Sequence, residues 1–354
     1  MSPQSPRTLV VAVLALTSAL GLTSPGVPTA SPVRVAGHRR FIDHFDVRTF
    51  QRGNVHTHST RSDGHSSPGE VASWYRDHGY QFLALTDHEL RVDPDDLREL
   101  QRPGFIMIAG EEITSAAGAT PVHVNAICST STISGGLYAN RESALAAAVA
   151  ETRAQHAAAI VNHPNYEWAL DADTIHRALS GSYGLEIWSG HPLVHTAGDV
   201  DHPSHESIWD SLLTQGDSVT GLAVDDEHDL DAEHPSMASL PGRGWIATFG
   251  GDTTRDSICD AILHGRLYCS SGAELRRIAL DRDSLSVWVT DRSAVVEFFG
   301  DDGRVLATVT PGSSAPTPYG FEIRYALRGD ETYVRARVLV HGRGAAWTQA
   351  YRTV

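Results

Sequence analysis

Histidines and carboxylates recur at the ends of successive apolar runs in this chain, and that recurrence is where chemistry could reside. Runs end in His56-Thr57-His58 followed by Ser62-Asp63-Gly64, in Thr86-Asp87-His88 and in Gly110-Glu111-Glu112. Others carry His123, end in Asn162-His163-Pro164, carry Glu186, or end in Asp225-Asp226-Glu227-His228. All are nitrogen or oxygen donors, a set that suits Zn, Mn or Fe. Residues two apart on a strand share a face, so His56 with His58, and Asp226 with His228, can grip one cation. A single His-x-His is common without a metal. Seven successive runs that each offer His, Asp or Glu are hard to reconcile with a metal-free core, because unpaired buried carboxylates are costly and repel one another.

The elements that must position these donors alternate from about residue 50 to 272. Strand-like runs over 54–58, 82–86, 105–109, 122–127, 158–161, 185–188 and 220–224 are interleaved with helical patterns over 68–77, 95–100, 141–156, 172–179 and 205–213. Ser67-Pro68 and Pro94-Asp95 carry helix-start chemistry. Such a rhythm predicts parallel βα units, and seven strands suit a barrel, whose C-terminal strand ends form one mouth. After Gly272 only strand patterns remain, over 285–289, 294–299, 305–309, 321–325, 333–338 and 346–351. Asp301-Asp302-Gly303 stands where a hairpin needs positive φ, and 310–320 reads as a loop. The expected domains are residues 31–272 as the barrel and 273–354 as a small antiparallel β domain without a catalytic cluster.

The ordered set His56-x-His58, Ser62-Asp63-Gly64, Thr86-Asp87-His88, Gly110-x-Glu112, His123, Asn162-His163-Pro164 and Asp226-x-His228 resembles the PHP (polymerase and histidinol phosphatase) superfamily. Gly242-Arg243-Gly244-Trp245, the helical pattern over 257–264, Tyr268-Cys269-Ser270-Ser271-Gly272 and the β-rich tail look more particularly like the branch with carbamate and aryl-ester metallohydrolases. The resemblance implies an α/β fold, a distorted (β/α)7 TIM-like barrel, with two or three divalent metal ions. Carried over by position, His56, His58, Glu112 and Asp226 would hold one metal. Glu112 would bridge to a second, held also by His123 and His163, and Asp63, His88 and His228 would hold a third. Glu111 competes with Glu112 and Asp225 with Asp226; the motif spacing selects the second of each pair.

Adjacent cations activate a bridging hydroxide and clamp the attacking and leaving oxygens, so no Ser, Cys or Lys nucleophile is needed. The first reading is a phosphoesterase, because clustered cations offset an anionic ester inside an acidic protein. The alternatives are a carbamate or carboxylic ester hydrolase on the same site, and a metal-loaded binding protein without catalysis. Glu186 and His191 follow the sixth strand and are candidates for proton transfer to the leaving group; Glu186 equally suits a partner that orients a ligand histidine. Asp87 reads as a partner of His88, Arg243 as a salt-bridge residue, Trp74 as core, and His195, His202, His205 and His234 as solvated loop residues.

Composition bounds the partners. The 354 residues carry 41% hydrophobic side chains and a net charge of −15, which argues against bulk nucleic acid and leaves a small anionic or ester substrate. All 28 basic residues are arginine, which removes lysine Schiff bases and the Walker A loop. Arg7 followed by the apolar run 9–22 reads as a signal peptide within residues 1–30, with the cleavage point open, so the expected location is secreted or extracytoplasmic. The run is short of the about 20 residues of a membrane span, and no later run replaces it. Of three cysteines, Cys259 and Cys269 are near enough in sequence to bridge, and Cys128 reads as a small buried hydrophobe. Without a C-x-x-C pair, finger-type zinc is excluded.

Overall fold

The computed structural model describes residues 44–231 and 238–352. The leader and His234 lie outside them. No helix among the described residues is long and apolar enough to cross a membrane. The strands form a mixed α/β arrangement of three sheets.

The first three barrel strands, Gln51–Asn54, Phe82–Ala84 and Ile106–Ile108, run parallel, with Gly53 opposite Phe82 and Leu83 opposite Met107. A second sheet carries Glu112–Ala117, Thr120–Ile127, Ala158–Val161, Ser182–Ser189 and Ser218–Val224. The two sheets do not close into one continuous ladder. One seam is a single bridge between Thr57 and Glu227. The other consists of Ala126 N to Glu111 O at 3.0 Å and Cys128 N to Ala109 O at 2.7 Å. The closed barrel expected from the sequence is corrected to two arcs stitched at these seams.

One strand also departs from the parallel pattern. Thr120–Ile127 pairs antiparallel with both Glu112–Ala117 and Ala158–Val161. Only Gly118 and Ala119 separate the first pair, and Gly118 has φ 63°. A connection that short forms a hairpin, whereas a parallel crossover needs about a dozen residues or more.

Helix Pro68–Asp77 begins as expected. Ser67 accepts from Glu70 N while Glu70 accepts from Ser67 N, a reciprocal cap worth about 1 kcal/mol. Its inward face buries Val71, Ala72 and Tyr75. Helices Arg141–Ala154, Ala172–Ala178, His205–Gln215 and Arg255–Leu263 follow. The pattern over 95–100 yields only a short 3-10 turn, Arg98–Leu100. There Asp93 Oδ1 accepts from Asp95 N at 2.8 Å, a side-chain turn that competes with helical bonding.

The C-terminal strands are not walled off from the barrel. Gln51–Asn54 pairs with Trp245–Thr248, which pairs with Leu267–Ser270, which pairs with Gly344–Trp347 in the tail. The tail strands belong to the same compact unit as the barrel strands. Arg335, fully buried, ties the two together. Its Nε lies 2.7 Å from Asp210 Oδ1 and its Nη1 2.8 Å from Glu206 Oε1, both on helix His205–Gln215. The turn after Val295–Gly300 has Asp302 at φ 56° and Gly303 at φ 66°, the geometry its sequence calls for.

The disulfide differs from the expected pairing. Cys128 bonds Cys259, with Cα atoms 6.0 Å apart across 131 positions, and Cys269 is free and buried. Cys128 stands at the second seam, and Cys259 on the helix whose inner face packs against the adjoining core. Cys269 is buried in the strand Leu267–Ser270, and its sequence-near candidate Cys259 is bonded to Cys128 instead.

Candidate metal centre

The strand ends at Asn54 and Val55 bends, after which Thr57 bridges Glu227 while His56 and His58 on either side of it both face Glu112 and Asp226. Asn54 Oδ1 accepts from His56 N at 3.0 Å, and Thr57, facing the other way, donates to Ala84 O at 2.9 Å. The Ser62-Asp63-Gly64 turn folds back so closely that a Cβ on Gly64 would lie 2.7 Å from the His58 carbonyl carbon. Only glycine permits that approach. Asp87 holds this turn by accepting from Ser59 N, Ser59 Oγ and Ser62 Oγ, each at 2.9 Å.

Glu112 lies at the centre, and its two oxygens face different imidazoles. Oε1 is 3.1 Å from His123 Nδ1 and 3.2 Å from His163 Nε2. Oε2 is 3.3 Å from His56 Nε2, from His58 Nε2 and from His88 Nδ1. Asp226 Oδ1 is 3.1 Å from His56 Nε2 and 3.3 Å from His58 Nε2. Asp63 Oδ2 is 3.5 Å from His88 Nε2 and 3.6 Å from His228 Nε2. These residues form four overlapping groups whose donor atoms lie within 4.8 Å of one another.

The donor atoms pass a direct test for metal ions. His56 Nε2, His58 Nε2, His123 Nδ1 and Asp226 Oδ1 are buried and make no hydrogen bond. Buried polar atoms are normally bonded, so each such group calls for a partner. Imidazole and carboxylate donors converging on shared points fit divalent metal ions.

Neighbours set the register of each donor. Asp226 adopts φ 52°, a left-handed conformation uncommon for aspartate, and turns into the cluster. Asp225 turns away and accepts from Tyr75 OH and Asn54 Nδ2 at 2.7 Å and from the N–H groups of Gly242, Arg243 and Gly244. Glu111 likewise leaves the cluster and accepts from Ile133 N at 3.0 Å. Glu112 and Asp226 are therefore the members of each pair that face the site. Asn162 Nδ2 steadies Glu112 Oε1 at 2.8 Å, and Thr114 Oγ1 holds His88 Nδ1 at 2.7 Å.

Burial opposes charge on these groups and is the largest influence on each. For His56 it is outweighed by Asp226, Glu186 and Glu112, and for His58 by Asp226, Asp63 and Glu112, so both imidazoles are held well above their ordinary value. The carboxyls respond in kind. Against burial, the surrounding histidines hold Glu112, Asp226 and Asp63 below the usual carboxylate range. At His123 burial wins, and the neutral imidazole is favoured.

Glu186 and His191 separate by position. Glu186 is fully buried behind the cluster, with Oε1 2.5 Å from His56 Nδ1 and Oε2 accepting from His163 N at 2.8 Å. Both oxygens are engaged in orienting candidate ligands. His191 instead lines a cavity of about 250 Å³ over the cluster, and its ring is 5.3 Å from that of His228. Arg243 is not among the cavity residues; its Nη1 donates to Ala238 O at 3.0 Å. Tyr166, the exposed Leu193 and the nearly buried Val194 also line the cavity, and no sequence pattern marks them.

No protein-family model and no curated protein matches the chain. Among solved structures it is similar to a two-domain protein from Bacteroides vulgatus containing a predicted PHP-like metal-dependent phosphoesterase. That match has 14% identity, covers 89% of this chain and 96% of the other, and has a TM-score of 0.44. A protein of Bifidobacterium adolescentis described as a metal-dependent phosphoesterase matches at 14% identity, covering 60% of this chain and 96% of the other, with a TM-score of 0.38. An amidohydrolase from Chromobacterium violaceum, with bound sulfate and no metal, matches at 16% identity, 61% and 96% coverage and a TM-score of 0.37.

Proposed function

We propose that the chain is an exported metal-dependent hydrolase of the PHP type that cuts a phosphate ester. The observation that carries the metal-dependent hydrolase reading is Glu112, a buried carboxylate whose two oxygens each face a separate set of imidazoles, among them the unbonded nitrogens of His56, His58 and His123. That is the arrangement a carboxylate shared between two metals requires. The phosphate ester follows from the charge that clustered cations would offset. His56, His58, Glu112 and Asp226 would hold one ion, Glu112, His123 and His163 a second, and Asp63, His88 and His228 a third. Bound divalent ions supply Lewis acidity, which activates water and offsets charge on the ester oxygens.

The chain's own residues do the rest. Glu186 holds His56 by Nδ1 so that Nε2 faces the centre, the usual support for a ligand histidine. Leu193 N donates to His191 Nδ1 at 3.2 Å, so the neutral ring carries its proton on Nε2. From the cavity wall that proton is available to a leaving oxygen. The leader pattern and the Cys128–Cys259 bridge support export, since disulfides persist in oxidising compartments.

Purified protein loaded in turn with Zn, Mn and Fe should hydrolyse a phosphomonoester or phosphodiester. His58→Ala should abolish that turnover while far-UV circular dichroism stays native. Turnover of an aryl carbamate or carboxylic ester alone would replace the phosphoesterase reading. Metal-loaded protein inert to the whole panel would replace it with the binding-protein reading.

A further inference from the structure

The cavity over the cluster has two unlike sides. One is built of the candidate ligands, and the other of Tyr166, His191, Leu193 and Val194. None of the described residues lining it is an arginine, and the chain has no lysine. A second anionic group on a substrate would therefore meet no cationic side chain in this wall. What the wall offers is apolar surface. Leu193 is 53% exposed although large and hydrophobic, and Tyr166 sets its ring 5.5 Å from that of His163 at 75°.

The wall is also held rigid. It comes from two loops, after Ala158–Val161 and after Ser182–Ser189, clamped together by a stack. The Trp168 ring lies between His195 at 4.5 Å and His202 at 3.8 Å, with interplanar angles of 15° and 11°. Asn165 Nδ2 adds bonds to His195 O at 3.0 Å and Pro203 O at 2.9 Å. Glu167, Trp168 and His195 adopt φ of 51°, 50° and 50°. Left-handed backbone is strained for a non-glycine residue and persists only where the surroundings over-determine it. His195 and His202, read as solvated loop residues, are in this way structural partners of Trp168, and His205 is buried at the start of helix His205–Gln215 with Nε2 3.2 Å from Val194 O.

We propose that Tyr166, Leu193 and Val194 form a preformed specificity wall for phosphoesters whose leaving group is small, uncharged and aromatic or apolar, and that it disfavours substrates with a second anionic group, such as nucleoside bisphosphates. Trp168 is a positioning residue that locks the wall. The proposal rests on the hydrolase reading above and assigns that site its substrate class.

The test uses the metal-loaded full chain with two non-hydrolysable probes, phenylphosphonate and methylphosphonate, titrated calorimetrically. Hydrolysis of phenyl phosphate, glycerol phosphate and a nucleoside 3',5'-bisphosphate, which carries a second anionic group, is measured in parallel. Phenylphosphonate should bind about tenfold tighter or better, the scale of one apolar contact in a pocket. Phenyl phosphate should exceed glycerol phosphate in kcat/KM, chiefly through KM. Leu193→Ser should remove most of the phenyl preference with metal content unchanged. Trp168→Ala should weaken the preference, and Trp168→Phe should restore it. Equal binding of the two phosphonates, preference for the bisphosphate, or a Leu193→Ser loss common to both probes would overturn the wall. A phenyl preference in protein that hydrolyses nothing would sink the hydrolase reading and leave the wall standing; hydrolysis without that preference would do the reverse.

Discussion

Glu112→Gln tests the metal centre where its geometry is most specific. The substitution keeps shape and leaves an oxygen to accept from Asn162 Nδ2, but removes the charge that faces imidazole nitrogens at 3.1 to 3.3 Å on both sides. Losing one partner of a buried ionic contact costs about 3–5 kcal/mol. At 1.4 kcal/mol per decade that is roughly a hundredfold or greater loss of affinity. A metal supplied at about 100 times its Kd stabilises the folded chain by about 2.7 kcal/mol, and a hundredfold weaker site keeps only about 0.4 kcal/mol. With an unfolding entropy of about 2.1 cal/mol/K per residue, the first figure raises the Tm by about 4 °C per site in a chain of this size and the second by less than about 1 °C. Chelated protein should be titrated with Zn or Mn, following thermal unfolding and bound metal by mass spectrometry. Because Glu112 faces two sets of ligands, its loss should empty two sites, whereas His228→Ala should empty one. A Glu112→Gln protein with wild-type metal stoichiometry and an unchanged metal-dependent Tm shift would refute the bridging arrangement.

Three further outcomes are expected. Glu186→Gln should weaken metal binding about 10–100-fold and regain activity at saturating metal; a loss that no metal concentration restores would instead make Glu186 a proton-transfer group. Cys128→Ser should cost up to about 5 kcal/mol by the loop-entropy estimate for its long closed loop, read as a lower denaturation midpoint, and peptide mapping that finds Cys259 joined to Cys269 would contradict the pairing. Glu227 is fully buried with neither side-chain oxygen bonded, and burial, reinforced by Asp225, pushes its carboxyl up to about 9. An acid raised above its unfolded value binds its proton more tightly when folded, so it costs stability as pH rises from about 4.5 towards 9. In metal-free protein, Glu227→Gln should therefore flatten that decline and raise stability at pH 8; an unchanged pH slope would show that Glu227 is solvated or paired.

Features that repeat locally were legible from the residues alone. Alternation placed His56 beside His58, the Ser67 to Glu70 spacing started a helix at Pro68, and the polar ends of successive apolar runs marked the ligand candidates. These follow from side-chain periods of two and 3.6 residues, which neighbours along the chain decide between themselves. Tertiary structure decided what depends on distant partners. Asp225 and Asp226 are adjacent and chemically alike, and only Tyr75, Asn54 and the 242–244 amides draw one away while a left-handed backbone turns the other inward. Cys128 finds Cys259 across 131 positions, and Glu186 spends both oxygens on His56 and His163 instead of facing the cavity. The wall of Tyr166, Leu193 and Val194 has no signature, because apolar side chains become a site only when folding leaves them beside one. Convergence over long separations depends on which surfaces can be buried together, and no local spacing encodes that.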